Sequence, residues 1–106
     1  GVVALFEAAL DGVTSRGKAT TGEKTMVDAW AAACRAAQEA ASSGADAVTT
    51  LAAAADGAQA GAIATEPMIA TKGRASYLGE RSAGHRDPGA ESTAIIVRAA
   101  VDALTS

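Results

Sequence analysis

Small apolar residues at steps of three and four constrain this chain more than any other feature of its sequence. Hydrophobic residues make up 49% of the chain and are mostly alanine, whereas aromatic residues make up only 3%. Apolar residues at this spacing form one face of an α-helix, and small side chains let such faces approach each other closely. The sequence therefore predicts a protein built of closely packed helices.

The first two helices are predicted from their apolar stripes. The pattern over residues 2–14 indicates a first helix, and the residues from Ser15 to Gly22 have the composition of a loop. A second helix ends before Gly44, where glycine favours termination. Thr20 with Glu23 has the spacing of a capping box, so we expect it to begin this second helix.

A third apolar stripe runs from Val48 to Ile69. Gly57 and Gly61 lie four residues apart on it, and we expect another helix to approach closely at these positions. Pro67 is expected to kink or end this helix near its last turn, because proline lacks the amide that the helix needs.

The periodicity disappears from Lys72 to Ala90, a charged and glycine-rich loop, and loops of this length are usually functional or disordered. Within it, Asp87-Pro88 is a typical helix start, because aspartate caps and proline loses no hydrogen bond at the first helical position. A last stripe runs from Ile95 to Leu104. No alternating strand pattern occurs, so we predict an all-α, antiparallel, up-and-down helical bundle.

Charge and cysteine content narrow the function classes. The net charge of −3 and the isoelectric point near 5.0 give no basic surface for nucleic acid. The lone Cys34 excludes an internal disulfide and a cysteine-rich zinc site, and no apolar run is long enough to span a membrane. We therefore expect a cytoplasmic protein that binds neither nucleic acid nor a membrane.

The length of 106 residues fits one domain or half of one. The apolar stripe begins directly after Gly1 with no capping residue ahead of it, so we expect the chain to start inside a helix, as a fragment of a domain does.

Two segments come close to a phosphate-binding P-loop. The residues from Gly12 to Lys18 have its spacing, but Ala19 stands where serine or threonine binds the metal. The segment from Gly79 to Arg86 has His85 where lysine is required. Neither has a strand before it, so a P-loop is disfavoured. His85 is more simply a hydrogen-bonding loop residue than a metal ligand, because no second histidine or cysteine accompanies it.

The charged segment from Lys72 to Gly89 has two interpretations. It is either a solvated surface loop or an anion site. The second is physically reasonable because a helix beginning at Asp87-Pro88 offers free amides and a positive dipole end to phosphate, with Arg74 available for a bidentate contact. Composition alone leaves the two interpretations even.

Four sequence blocks decide between them. They are Asp11-Gly12-Val13 with Ser15-Arg16-Gly17-Lys18-Ala19, then Gly22-Glu23-Lys24-Thr25-Met26-Val27-Asp28, then Lys72-Gly73-Arg74-Ala75-Ser76-Tyr77-Leu78-Gly79-Glu80-Arg81-Ser82, and Gly84-His85-Arg86-Asp87-Pro88-Gly89-Ala90. In residues, order and rough spacing they resemble the second half of the nucleotide-binding L subunit, or L domain, of dihydroxyacetone kinases. The resemblance covers nearly the whole chain.

This resemblance implies an antiparallel barrel of eight helices that holds ADP or ATP at one open end. The end faces a partner, the K subunit or domain, that carries dihydroxyacetone. Residues 1–106 would be the C-terminal half of that nucleotide-binding domain. By the family pattern, the nucleotide-binding positions are Gly17, Met26 (on the adenine), Arg74, Asp87, Pro88 and Gly89.

The chain also departs from the family pattern. The family's magnesium ligands lie in a Gly-Asp-Ala-Asp-His-Gly motif, and a Gly-Gly-Ala-Ser-Gly loop covers the phosphates; both precede the matched region, and neither occurs here. Because phosphoryl transfer depends on metal ions that neutralise the developing charge, we expect no catalytic residue and no metal ligand in this chain. Alone, it is expected to be inactive.

The family occurs in two types. One is a separate subunit whose ADP is rephosphorylated by a phosphotransferase-system phosphocarrier; the other is a domain fused to the substrate domain and uses ATP. The run from Ser15 to Ala19, with Asp28-Ala29-Trp30, is more similar to the separate-subunit type. The alternatives are the L domain of an ATP-dependent dihydroxyacetone or other short-ketose kinase, and a noncatalytic helical interaction module.

Overall fold

Four α-helices make up the regular structure of the computed structural model, which describes residues 1–17, 22, 24–68 and 84–105. No β-strand occurs in those ranges, so the all-α prediction is confirmed. None of the helices found there has both the length and the apolar character needed to cross a membrane. The helices are α1 (Val2–Gly17), α2 (Met26–Ser42), α3 (Ala47–Ala64) and α4 (Pro88–Thr105).

The antiparallel pair α2 and α3 is in unusually close contact. A Cβ atom on Gly61 would lie 2.8 Å from the carbonyl oxygen of Asp28, and one on Gly57 would lie 2.7 Å from that of Ala32. Real Cβ atoms essentially never come this close to backbone, so only glycine fits at both positions. The close approach predicted for these two glycines is confirmed, and the partner is α2.

Helix α4 runs antiparallel to α3. Arg98 of α4 pairs with Asp56 of α3, while Asp87, just before α4, bonds to Thr65, just after α3. The start of α4 therefore lies beside the end of α3. Because α2 is also antiparallel to α3, the starts of α2 and α4 and the end of α3 meet at one end of the bundle.

The core between the helices consists mainly of alanine, which explains how so few aromatic residues suffice. Phe6 of α1 is buried and lies against Trp30 of α2, with ring centroids 6.3 Å apart. Cys34 is a small core residue: burial, together with the negative charges of Glu7 and Asp11, raises the pKa of its thiol above 9.0, so it stays protonated at neutral pH. The buried core residues are Phe6, Ala29, Ala33, Cys34, Ala37, Ala54, Ala55, Ala58, Ala62, Ala90, Ala94, Val97 and Val101.

Two boundaries near the first connection differ from the prediction. Helix α1 continues through Ser15 to Gly17, which we expected to be loop, because a helical hydrogen-bond ladder can run one turn beyond its apolar stripe. Helix α2 begins at Met26, and its N-cap is Thr25, with Asp28 completing the capping box. The predicted box of Thr20 with Glu23 is wrong as the start of α2; both residues lie outside the described ranges.

The later boundaries follow the prediction more closely. Helix α3 ends at Ala64, with Thr65 as its C-cap, so it stops just before Pro67 as expected. Ile69, which we placed on the third stripe, lies outside the described residues. Helix α4 begins at Pro88, directly after Asp87, so the predicted helix start is confirmed.

Candidate functional site

Asp87 organises the first turn of α4. Its Oδ2 accepts a hydrogen bond from the Ala90 amide at 2.9 Å, and its carbonyl oxygen accepts one from the Glu91 amide at 2.9 Å. Its own amide donates to Thr65 Oγ1 at 2.9 Å. The carboxylate is buried and caps α4. Pro88 suits the first helical position because proline has no amide that would need a partner there.

Met26 and Gly89 lie against each other at the starts of α2 and α4. A Cβ atom on Gly89 would stand 3.5 Å from Met26 Cβ and 3.2 Å from Asp87 Oδ2. Met26 is nevertheless 44% exposed, so part of its thioether side chain faces solvent beside the two helix starts. Pro88, which precedes Gly89 in the chain, is exposed. The result is a small apolar surface at the rim of the bundle.

The electrostatics of this rim come from the two helix N-termini, whose partial positive charges face the buried carboxylates of Asp28 and Asp87. Asp28 takes up two of the nearby amides: its Oδ1 accepts from Gly22 at 2.5 Å and its Oδ2 from Thr25 at 2.9 Å. The apolar surface beside the two helix starts suits the planar apolar part of a ligand.

Lys24 lies behind this surface and is 1% exposed. Its Nζ donates to the carbonyl oxygens of Thr65 at 2.9 Å and Glu66 at 3.3 Å, and also to that of His85. Its φ of 60° is in the left-handed region, which costs a residue with a side chain about 1–2 kcal/mol. This conformation also explains why α2 cannot begin earlier than Thr25.

Arg86 lies on the outside of the same region. Its guanidinium pairs with Glu66 at 2.9 Å and with Glu91 at 3.1 Å, and hydrogen bonds to these two carboxylates raise the pKa of Arg86. It therefore braces the exposed side of the α4 start. The His85 side chain is exposed, and only its carbonyl oxygen is engaged by Lys24. In the described ranges, no group of three histidine, cysteine, aspartate or glutamate residues is placed to hold a metal ion.

The structure brings together four of the six predicted nucleotide-binding residues, although they come from opposite ends of the sequence. They are Met26, Asp87, Pro88 and Gly89. Gly17 is the last residue of α1, and Arg74 lies outside the described residues. The candidate P-loop from Gly12 is helical through Gly17, so it does not have the P-loop conformation.

Sequence analysis missed Lys24 and Thr65 as site residues. Lys24 belongs to the quoted block from Gly22 to Asp28, but a single lysine before a helix cap is usually solvated, and nothing in the spacing indicates burial. Thr65 precedes Glu66-Pro67 and is typical of a helix end. Only the folded arrangement shows that both residues contact the segment just before α4.

An apolar cleft is the second notable feature, and it lies between α1 and α4 over Trp30 and Leu51. Its volume is about 180 Å³. Leu5, Ile96 and Leu104 on its rim are 60%, 62% and 70% exposed. The lining residues are Leu5, Phe6, Ala9, Trp30, Leu51, Ile96, Val97, Ala100, Val101 and Leu104.

Comparison with known proteins gives the site a family context. The chain matches the model of the DAK2 domain over residues 1–102. It is 44% identical over 94 residues to the "PEP-dependent dihydroxyacetone kinase, ADP-binding subunit DhaL" of Escherichia coli K12, covering 89% of this chain and 45% of that subunit. It is 45% identical over 92 residues to the "PTS-dependent dihydroxyacetone kinase, ADP-binding subunit DhaL" of Lactococcus lactis, covering 87% of this chain and 42% of that subunit.

A human protein named "Triokinase/FMN cyclase" is 40% identical over 103 residues, which are 97% of this chain and 18% of that protein. The chain thus spans less than half the length of the curated relatives it matches. With a family match over almost its full length, the chain belongs to the DAK2 domain family.

Proposed function

We propose that this chain forms the adenine side of the ADP or ATP site of a dihydroxyacetone kinase, which transfers a phosphoryl group to dihydroxyacetone held on a partner K subunit or domain. The observation that carries the proposal is the meeting of Met26 with Asp87, Pro88 and Gly89 at one end of the bundle. The names of the DhaL relatives, which are ADP-binding subunits, support it.

The residues at this end suit a nucleotide. The half-exposed thioether of Met26 is flexible and polarisable, so it packs well on a planar base. Gly89 has no side chain to obstruct the base beside Met26. Arg74 would add a charged contact to the nucleotide, and Gly17 would let the backbone approach it.

The described residues hold no cluster of three metal-binding side chains. We place the magnesium ligands and the loop over the phosphates on the N-terminal half of the domain, which would precede residues 1–106. When bound, magnesium would neutralise the charge that develops on the transferred phosphoryl group. The chain's own residues would bind and orient the adenine, and the chain alone would be inactive.

We favour the phosphotransferase-system-dependent type, in which ADP stays bound and a phosphocarrier subunit rephosphorylates it in the cytoplasm. The relatives named as PEP- or PTS-dependent subunits are 42–45% identical to the chain, against 39–40% for the triokinase/FMN cyclases. An ATP-dependent dihydroxyacetone or other short-ketose kinase is the neighbouring alternative.

The proposal is tested by supplying the N-terminal half in trans. Calorimetry with ADP and magnesium should detect tight binding for the mixed halves and weak or no binding for either half alone. The mixture with the K subunit should phosphorylate dihydroxyacetone, whereas the 106-residue chain should not. Tight ADP binding by the 106-residue chain alone would show that the metal site is not where we place it.

The apolar cleft favours a second candidate function, a noncatalytic module that binds another helix. Leu5, Ile96 and Leu104 are exposed around the cleft and offer apolar surface that another helix could cover. The two functions differ in one property, nucleotide binding by the complete protein. A complete protein that folds but binds neither ADP nor ATP would favour the module.

A further inference from the structure

Lys24 joins three segments of the chain at the candidate site. Its Nζ donates to the carbonyl oxygens of Thr65 and Glu66 after α3 and to that of His85 before α4, while its backbone leads directly into the cap of α2. We infer that Lys24 is a positioning residue that sets the spacing between the starts of α2 and α4, and hence the grip of Met26 and Gly89 on adenine. The inference rests on the proposed nucleotide site.

The chemistry of the contact explains why a lysine is buried there. The carbonyl groups at the end of a helix lack helical partners and carry the negative end of its dipole. Helix α3 has no basic residue in its own last turn, so Lys24 supplies the positive charge from elsewhere in the chain. A buried ammonium that donates to several carbonyls fixes their positions more firmly than a neutral side chain does.

Thr65 connects this contact to the nucleotide-binding surface. Its carbonyl oxygen accepts from Lys24 Nζ at 2.9 Å, and its hydroxyl accepts from the Asp87 amide at 2.9 Å. Thr65 is 0% exposed, so neither bond competes with water. Two bonds through one residue thus connect the segment before Met26 to the segment before Gly89. Met26 and Gly89 lie against each other at the rim of the bundle. A small change in the distance between them would alter the fit of a planar base.

The left-handed backbone at Lys24 supports the same role. A non-glycine residue in this conformation persists only where its surroundings hold it there. Here the side chain is held by the three carbonyls, and the next residue, Thr25, caps α2. Strain kept in this way is typical of functional regions.

The test compares Lys24→Met, which keeps the length of the side chain and removes the ammonium, with the wild type, both in the complete protein carrying the N-terminal half. We expect the Kd for ADP to rise about tenfold, because restoring the spacing of the two helix starts on binding would cost about as much as one charged hydrogen bond. The Kd for adenosine should rise by a similar factor and that for pyrophosphate by much less, because the defect lies at the adenine side. Amide hydrogen exchange at Gly84 and Asp87 should become faster.

A stability-matched variant separates positioning from a general loss of stability. Val101→Ala removes buried volume in the last turns of α4, far from the site. At the same loss in melting temperature, its ADP affinity should stay within about twofold of wild type. Equal losses of ADP affinity in Val101→Ala and Lys24→Met would overturn the inference. An equal loss of adenosine and pyrophosphate affinity in Lys24→Met would overturn it as well.

Variants at Thr65 keep the inference testable if Lys24→Met does not fold. Thr65→Val removes the hydroxyl that Asp87 uses and should weaken adenosine binding selectively, whereas Thr65→Ser keeps the hydroxyl and should restore it. No difference between these two variants would contradict the proposed connection. A wild-type protein that binds no ADP would instead overturn the proposed function, and the positioning role with it. If the wild type binds ADP and Lys24→Met binds it equally well, only the positioning role is overturned.

Discussion

Gly89 at the start of α4 lies directly against Met26 at the start of α2, so that a Cβ atom on the glycine would stand 3.5 Å from that of the methionine. The contact joins two residues that are far apart in the sequence and that we predict to bind the nucleotide. Because Met26 remains 44% exposed, the contact leaves a free apolar surface at the rim of the bundle.

Met26→Ala should therefore weaken nucleotide binding more than it weakens the fold. Nearly half of the side chain is already in solvent, so little burial is lost on truncation. Adenine would lose about 1–2 kcal/mol of apolar contact with the side chain, part of the value for burying a methionine. Calorimetry with ADP and a thermal melt without nucleotide check this. A large drop in melting temperature with normal ADP affinity would make Met26 an ordinary structural residue.

Gly61→Ala should destabilise the fold by about 1–3 kcal/mol, the usual cost of overpacking. The added methyl group would meet the Asp28 carbonyl oxygen and the Ala32 Cβ, each at 2.8 Å, and α2 and α3 would have to separate. Gly12→Ala is the matched control, because Gly12 lies in α1 with nothing within 4 Å of the added atom. It should stabilise by about 0.5–1 kcal/mol. Urea unfolding of both variants measures the difference, and similar effects would contradict the packing.

Gly57 and Gly61 illustrate which parts of the fold could be predicted from the sequence. Helical stripes, the four-residue spacing of Gly57 and Gly61, and the Asp87-Pro88 start are local signals, and each corresponds to a feature of the structure. The start of α2 was placed too early, because Thr20 with Glu23 matches the usual capping-box sequence, whereas the true box of Thr25 has aspartate, Asp28, at its third position. The left-handed backbone at Lys24 excludes the earlier start of α2. No local sequence pattern predicts this backbone conformation.

The candidate site could be proposed from the sequence only where the family resemblance named its residues, and its role in nucleotide binding stays a prediction. From the sequence alone, the segment that contains Asp87 could be either a solvated loop or an anion site. The residues that lie against it come from the start of α2 and the end of α3, and local sequence does not show these contacts. The burial of Lys24 depends on the carbonyl groups of Thr65 and Glu66, about forty residues away. Long-range contacts of this kind are set by packing, which periodicity does not encode.

Arg74→Ala in the complete protein should weaken ADP binding by about 1.5–3 kcal/mol, as expected for a hydrogen bond to a charged group. Arg81→Ala is the control, since we match Arg81 to no nucleotide-binding position of the family, and Arg86→Ala should weaken binding less than Arg74→Ala because it acts only through the start of α4. The guanidinium of Arg86 is already paired with Glu66 and Glu91. Titrations at several salt concentrations distinguish a direct contact from a general charge effect. Unchanged affinity of Arg74→Ala at every salt concentration would exclude the contact.

Asp46 should contribute to a loss of stability in acid. It caps α3, and the hydrogen bond from the Thr49 amide lowers the pKa of its carboxyl below 3.8. Because the folded pKa is below the unfolded value, Asp46 stabilises the fold above pH 3.8 and loses this effect as the pH falls through the folded pKa.

Asp46→Asn tests this, because asparagine also caps helices but does not titrate. In urea unfolding, the wild type should be the more stable at neutral pH, and the difference should shrink below pH 3.8. A difference that is constant with pH would show that the charge of Asp46 plays no part.

The position of adenine on Met26 is the central claim, and the methyl signals of the two methionines of this chain measure it most directly. In the complete protein labelled with ¹³C-methyl methionine, and with signals assigned by Met26→Leu and Met68→Leu, ADP and magnesium should shift the Met26 methyl strongly through the ring current of adenine. Met68 should shift little. Saturating ADP binding that leaves the Met26 methyl unmoved would contradict the account.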